Sequence, residues 1–240
     1  MKHLNKALGT IAFATLALGY TNVANAATVT TSGTWSNPQG TAAYVIHNVN
    51  TISWGNPANT SDNQSSYVFD GNGGVEVDET MFQVFKLGTF THNNFPITQG
   101  DFLGATLTLN LDIDGQVSQG FTFDFAHNET PNRIPCDPQG STVCPDVVDI
   151  PSAIGEETIS YNGKTFKLQI LGFSDSIDGS KVTQFITEEG MSNQTMLFGQ
   201  LKPEPVPEPL TILGSATALG FGALLKRQHS QKQKKDKQST

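Results

Sequence analysis

Residues 105–113 have the sequence Ala-Thr-Leu-Thr-Leu-Asn-Leu-Asp-Ile, in which apolar and polar side chains alternate without a break. Successive side chains of a β-strand point to opposite faces, so this pattern predicts a strand whose odd-numbered residues are buried. Residues 121–125, Phe-Thr-Phe-Asp-Phe, repeat the alternation with three aromatic side chains. Both segments favour antiparallel strands with one face on a core.

Shorter segments of the same kind are found along the chain. Residues 158–170 predict a hairpin, because Asn162-Gly163 lies between two alternating runs and both central residues of a type I′ turn need a positive φ. Further strands are predicted at 44–46, 67–69, 81–90, 182–186 and 196–201. Helix signals are nearly absent between these strands. We therefore predict an all-β domain, an antiparallel β-sandwich for which a jelly-roll is one possible form.

The first 26 residues have the organisation of a secretion signal. A short positive segment and an apolar run at 7–19 precede Ala24-Asn25-Ala26. The apolar run is too short to span a bilayer, and the two alanines supply the small residues that signal peptidase requires. Cleavage is predicted between Ala26 and Ala27, which makes 27–202 the folded domain.

The last residues, 203–240, predict a membrane anchor. A proline-rich stretch that includes Val206-Pro207-Glu208-Pro209 comes first and is expected to be an extended spacer. An uncharged apolar segment at 210–225 follows and predicts a short transmembrane helix. Lys226-Arg227 then opens a basic end that is expected to stay in the cytoplasm.

These three elements, in this order, resemble a PEP-CTERM sorting signal. The resemblance implies recognition of the tail by an exosortase-type membrane protease and removal of the hydrophobic helix. It also implies a link to exopolysaccharide or biofilm, because PEP-CTERM proteins as a group are associated with exopolysaccharide production. An ordinary permanent anchor is the alternative, and it predicts the same location at the cell envelope or cell surface.

The predicted domain is strongly acidic. Residues 27–202 contain 6 Lys and Arg and 19 Asp and Glu, a net charge of −13, whereas the whole chain carries −8. Such a surface repels nucleic acid and anionic lipids, and it favours cations or neutral polymers. We therefore expect no nucleic-acid partner.

Two cysteines, Cys136 and Cys144, lie in the exported part. In an oxidising compartment a pair at this spacing predicts a disulfide that closes a short loop. A zinc site would require further ligands at zinc spacing, and none flank the pair.

A dense polar cluster follows the aromatic strand and supplies the candidate ligands. Asp124, His127, Glu129 and, across the cysteine loop, Asp146 are candidates for a ligand or metal site. Oxygen-rich ligands suit Ca²⁺, although the spacing of an EF-hand loop is missing. Hydrogen bonds from these side chains to loop backbone are the structural alternative.

The domain as a whole resembles the choice-of-anchor K family of exported bacterial proteins. The segments that carry the resemblance are Trp54-Gly55, Leu87-Gly88, 92–97, 127–132, Cys144-Pro145-Asp146 and Gly172-Phe173. The resemblance implies an exported domain with a variable C-terminal anchor, and it implies no particular reaction.

Catalytic motifs are not found in the sequence. It contains no Gly-x-Ser-x-Gly elbow, His-Glu-x-x-His helix or phosphate-binding glycine loop. Glu156-Glu157 and Glu188-Glu189 are poor carboxylate pairs, since adjacent side chains on a strand face opposite ways. Residues 174–180 resemble a calcium loop in composition or a hydrated turn.

The first hypothesis is a non-enzymatic envelope or matrix protein. The alternatives are a carbohydrate- or calcium-binding module and, third, a hydrolase.

Overall fold

The computed structural model describes residues 26–59, 63–78, 83–130, 144–150 and 154–205, together with Lys226. All strand pairs in this part are antiparallel, which confirms the all-β class. The strands are β1 (Ala26–Gly40), β2 (Tyr44–His47), β3 (Thr51–Trp54), β4 (Asn56–Pro57), β5 (Ser65–Gly71), β6 (Val75–Asp78), β7 (Phe85–Asn94), β8 (Ile97–Thr98), β9 (Phe102–Ile113), β10 (Val117–Asn128), β11 (Asp146–Asp149), β12 (Ile159–Tyr161), β13 (Lys164–Ser174), β14 (Gln184–Thr187) and β15 (Met191–Pro203).

The strands form two large sheets and one small ribbon. One sheet has the order β14-β11-β10-β9-β1-β6, and the other has the order β12-β13-β15-β7-β5-β3-β2. β4 and β8 pair separately. Side chains from both large sheets form one apolar core, so the arrangement is sandwich-like. The jelly-roll form stays a prediction.

β9 and β10 have the predicted alternation. They pair with Leu107 opposite Phe123, and the odd-numbered residues of β9 from 105 to 113 are buried. On β10, Phe121, Phe123 and Phe125 are each at most 2% exposed. Because the alternation continues beyond Phe125, it also turns His127 into the interior.

Aromatic side chains join the two sheets near the middle of the core. The ring centroid of Trp35 on β1 lies 5.4 Å from that of Tyr67 on β5 and 5.4 Å from that of Phe125 on β10. Phe90 on β7 lies 5.6 Å from Phe125 in a stacked arrangement. Such pairs contribute about 0.5–1.5 kcal/mol each beyond the burial of their apolar area.

Several strands differ from the prediction. β1 was not predicted, because Ser, Thr and Gly hide an alternation in which only Ala27, Val29 and Trp35 are clearly apolar. β7 begins at Phe85, and the predicted residues 81–82 lie outside the described residues. β14 begins two residues later than predicted, since Val182 forms only an isolated bridge with Phe173.

The predicted hairpin is confirmed. β12 and β13 pair around Asn162 and Gly163, whose φ values are 48° and 73°. Both values are positive, as a type I′ turn requires.

The two ends of the chain and the cysteine loop lie mostly outside the described residues. This applies to residues 1–25, to the predicted helix at 210–225 and to Cys136, while Cys144 is described and buried. The signal peptide, the anchor and the disulfide therefore stay predictions. Within the described part, no helix has the length and apolar character needed to cross a membrane.

Gly172 and Gly163 provide a matched test of the fold. Gly172 has a φ of 133° at an irregularity between β13 and β15, and an added Cβ would lie 2.4 Å from the carbonyl oxygen of Val182. Gly163 also has a positive φ, but an added Cβ there meets nothing within 4 Å. We expect Gly163→Ala to cost about 1–2 kcal/mol. Gly172→Ala should cost about 1–3 kcal/mol more, because the backbone of Val182 must move.

Urea denaturation of the two variants and the parent protein measures this difference. Equal losses for the two variants would show that Val182 does not pack tightly against Gly172.

Candidate functional site

Three strands bring two histidines and an aspartate together at one end of the core. His92 lies near the end of β7, His127 near the end of β10, and Asp146 at the start of β11. One ligand atom from each lies within 4.8 Å of the other two. His92 and Asp146 are 0% exposed and His127 is 5% exposed. The site therefore spans both sheets, since β7 belongs to one and β10 and β11 to the other.

The hydrogen bonds around Thr187 allow a tautomer to be assigned to His92. Nδ1 of His92 lies 2.8 Å from Oγ1 of Thr187, and the same hydroxyl lies 3.3 Å from the carbonyl oxygen of Asp146, which can only accept. We assign the single hydroxyl proton to this second bond, which makes the hydroxyl the acceptor of Nδ1–H of His92. Nε2 of His92 consequently keeps its lone pair, and it is buried without a hydrogen-bond partner.

His127 is held by Tyr67 on one side and by carboxylates on the other. Its Nδ1 lies 2.6 Å from the hydroxyl oxygen of Tyr67, and its Nε2 lies 3.2 Å from Oε2 of Glu129. Oδ2 of Asp146 lies 3.7 Å from the same Nε2. In both histidines Nδ1 is thus hydrogen-bonded to a hydroxyl, while His127 directs Nε2 toward the carboxylates.

Asp146 is oriented by the chain that follows β10. The backbone N–H of Thr130 donates to Oδ1 of Asp146 at 2.8 Å, and the Thr130 hydroxyl lies 3.0 Å from the same oxygen. The other oxygen, Oδ2, is buried without a hydrogen-bond partner. These bonds leave one oxygen of Asp146 available to a ligand.

Aromatic side chains enclose the cluster. Trp54 stacks on His92 with centroids 5.5 Å apart and on Phe102 with centroids 3.9 Å apart. The indole N–H of Trp54 donates to Oε2 of Glu129 at 3.4 Å. An apolar wall of this kind strengthens every electrostatic interaction inside it.

Burial and crowding shift the ionisation of the cluster. Burial, and next the nearby His127, hold the pKa of His92 well below its usual value, which keeps the imidazole neutral. Burial and the charge of Glu129 raise the pKa of Asp146 to about 6. Burial and the charges of Asp146 and Glu129 raise the pKa of Glu189 to about 7, although the Asn94 amide opposes this shift.

Most of the buried polar atoms that lack a hydrogen-bond partner are found here. Apart from the Glu189 carboxyl group, which the Asn94 amide faces, five such side-chain atoms occur among the described residues. Four of them belong to this cluster: Nε2 of His92, Oδ1 of Asn94, Oε1 of Glu129 and Oδ2 of Asp146. Leaving a buried polar atom unpaired costs about 1–3 kcal/mol, and more when the group is charged. A divalent cation is the ligand that would satisfy lone pairs of this type together.

The predicted site residues are partly brought together. His127 lies 3.2 Å from Glu129 and 3.7 Å from Asp146, so these three residues lie together in the cluster. Asp124 does not join them: it is exposed on the outer face of β10 and accepts a hydrogen bond from Oγ1 of Thr106 at 2.6 Å. His127 and Asp124 are three residues apart, so a continuous strand places them on opposite faces.

His92, Thr187 and Glu189 belong to the cluster but were not among the predicted site residues. The alternation from Phe90 to His92 on β7 was the available signal for His92, because both residues lie on the same face. Thr187 and Glu189 carried no comparable signal, since their contacts with the cluster depend on how β14 pairs with β11.

The loop at 174–180, which resembles a calcium loop in composition, already binds the positively charged side chain of Lys181. The ammonium group of Lys181 donates to the carbonyl oxygens of Ser176, Ile177 and Gly179 at 3.2, 2.5 and 2.7 Å. It also lies 4.4 Å from the ring centroid of Phe198. The carbonyls that calcium would need are therefore engaged by this side chain.

No protein-family model matches the chain, and no curated protein matches it either. Inferences about its function therefore rest on its own residues.

Thr187→Val tests the hydrogen-bond chain of the cluster. Valine keeps the shape of threonine but leaves Nδ1–H of His92 unpaired, so we expect a loss of about 1–3 kcal/mol in the free energy of unfolding. Thr108→Val on the half-exposed outer face of β9 is the control, with an expected change within about 0.5 kcal/mol. Equal effects in urea denaturation would contradict a stabilising hydrogen bond between Thr187 and His92.

Proposed function

We propose that this chain is an exported cell-envelope protein whose sandwich-like domain binds a divalent metal ion between its two sheets. Its role is binding and structural rather than catalytic. The domain is presented at the cell surface or in the extracellular matrix.

One observation carries the metal-binding part of the proposal. Nε2 of His92 and Oδ2 of Asp146 are buried without a hydrogen-bond partner, and Oδ2 lies 3.7 Å from Nε2 of His127. One ligand atom of each of these three residues lies within 4.8 Å of the other two. Evolution tolerates unpaired buried polar atoms mainly at functional sites, where a ligand pairs them. A cation between these atoms would pair lone pairs that the protein itself leaves unsatisfied.

The burial of the site supports a role without turnover. Catalytic metal centres keep an open position for water or substrate, whereas structural centres are closed by protein ligands. Here His92 and Asp146 are wholly buried, and the side chain of Glu129 is only 13% exposed. A substrate would have no access to an ion at this position.

The export part of the proposal rests on the sequence at the two ends. Signal peptidase is expected to cut before Ala27, and an exosortase-type protease to recognise Val206-Pro207-Glu208-Pro209. The described strands from Ala26 to Pro203 form the folded unit that we propose is exported. By resemblance alone, the partner of such a protein at the cell surface is exopolysaccharide.

Metal binding is tested by thermal unfolding of the full chain after treatment with a chelator. We expect at least one of Ca²⁺, Mg²⁺, Mn²⁺ and Zn²⁺ to raise the unfolding temperature. At a free concentration 100 times Kd the gain is about 2.7 kcal/mol, because the ion binds only the folded form. For a domain of this size that corresponds to about 5–11 °C.

Asp146→Asn should abolish the shift, since it removes one charge and one ligand oxygen. Asp124→Asn, the same chemical change on the outer face of β10, should leave the shift intact. If none of the four ions changes the unfolding temperature of the parent protein, the domain is not a metal-binding module.

Export and sorting are tested by the mass of the protein recovered from the cell envelope or the medium. We expect a chain that begins at Ala27 and lacks residues 210–240. Replacing Glu208 with Ala should leave the tail attached, whereas Glu204→Ala, four residues upstream, is the control. Recovery of the intact 210–240 segment from the parent protein would indicate a permanent anchor.

A further inference from the structure

We infer that the ion is a transition metal of the zinc class, bound by Nε2 of His92, Nε2 of His127, Asp146 and Glu129 in a closed four-ligand site that cross-links the two sheets. This inference rests on the proposed function, which requires only that some divalent cation binds at the cluster.

The two histidines are prepared for a metal in the way that imidazole ligands usually are. A metal-bound histidine generally uses its second ring nitrogen to donate to a neighbouring oxygen, which fixes the ring and its tautomer. Nδ1–H of His92 donates to Thr187, so the lone pair of Nε2 already faces the cluster.

His127 would also direct an Nε2 lone pair into the cluster if one proton moved from Nε2 to Nδ1. Without a metal, the Tyr67 hydroxyl donates to Nδ1 and Nε2–H donates to Glu129. A metal at Nε2 would require the proton of Nε2 to move to Nδ1. The Nδ1–H group would then donate to the Tyr67 oxygen across the same 2.6 Å contact, with the Tyr67 hydroxyl hydrogen turned away from the ring.

The spacing of the ligand atoms suits a small tetrahedral ion. Zinc bonds of 2.0–2.2 Å place neighbouring ligand atoms of a tetrahedron about 3.3–3.6 Å apart. Nε2 of His127 lies 3.2 Å from Oε2 of Glu129 and 3.7 Å from Oδ2 of Asp146. A ligand atom of His92 lies within 4.8 Å of those of His127 and Asp146, and Glu129 reaches the group through its contact with His127.

The balance of charge agrees with a doubly charged ion. Two carboxylates, Asp146 and Glu129, neutralise it, and the two imidazoles add no charge. A neutral assembly of this kind can be buried at much lower cost than unpaired carboxylates.

The ligand set disfavours calcium and magnesium. Ca²⁺ takes six to eight oxygen ligands, and Mg²⁺ usually keeps several waters in an octahedral shell. Here two of the four ligands are nitrogens, which suit zinc, copper, iron and nickel. Trp54 and Phe102 occupy the adjacent space and leave little room for bound water.

An ion at this position joins parts of the chain that are distant in sequence. His92 belongs to the seven-stranded sheet, while His127 and Asp146 belong to the six-stranded sheet. Glu129 and Asp146 also flank the cysteine loop. The ion would therefore hold both ends of that loop to the core at one point.

The test uses Co²⁺ as a spectroscopic substitute for zinc in the full chain after chelation. We expect one Co²⁺ to bind with the intense visible bands of four-coordinate cobalt, and one Zn²⁺ to displace it. X-ray absorption of the zinc form should show two imidazoles and two oxygens, and this measurement needs no variant.

Variants assign the ligands. His92→Ala and Asp146→Asn should abolish the cobalt spectrum, whereas His47→Ala on the exposed strand β2 should retain it. Tyr67→Phe keeps the ring but removes the oxygen that Nδ1 of His127 needs. Loss of such a supporting contact typically lowers metal affinity about 10–100-fold.

The outcomes separate this inference from the proposed function. Stabilisation by Ca²⁺, Mg²⁺ or Mn²⁺ but not by Zn²⁺ or Co²⁺ would overturn the zinc-class site and leave the cation-binding function standing. Binding of Co²⁺ with the weak bands of six-coordinate cobalt would overturn the closed four-ligand geometry. The absence of any binding would overturn both.

Discussion

The contact between the aromatic rings of the two sheets is the constraint on which the rest of the structure depends. Trp35 and Phe125 from one sheet meet Tyr67 and Phe90 from the other, and this contact fixes which side of each strand faces inward. A shift of one residue in register would expose the rings, because side chains alternate. The same shift on β10 would turn His127 to solvent. The register that closes the core therefore also builds the polar cluster.

Polar groups at the end of an apolar core are costly, and the structure shows how part of that cost is met. Hydroxyls of Tyr67, Thr130 and Thr187 satisfy one atom on each histidine and on Asp146. Nε2 of His92 and Oδ2 of Asp146 are left without a hydrogen-bond partner. Most inward-facing side chains of β9 and β10 are apolar, whereas the inward-facing side chains of this cluster are polar. Such exceptions are expected where a fold carries a function.

The sequence was sufficient for the parts of the fold that depend on local pattern. The alternation of β9 and β10 and the turn at Asn162-Gly163 follow from a few neighbouring residues. β1 could not be predicted, since its buried face includes Thr31 and Gly33, which carry no apolar signal. The site was predicted only in part, because His92 meets His127 and Asp146 only where one sheet packs on the other. The short alternation around His92 shows which face it lies on but not what it meets there.

β15 extends from the polar cluster toward the predicted anchor. It begins two residues after Glu189, ends at Pro203, and spans about 40 Å at 3.3 Å per residue. β13 and β7 are hydrogen-bonded to it on either side. Hydrogen bonds of an antiparallel sheet run perpendicular to the strands, so a pull on the tail would load them together in shear. A tether at this end would therefore transmit mechanical force from the cell surface into the best-supported part of the domain, without peeling an edge strand away.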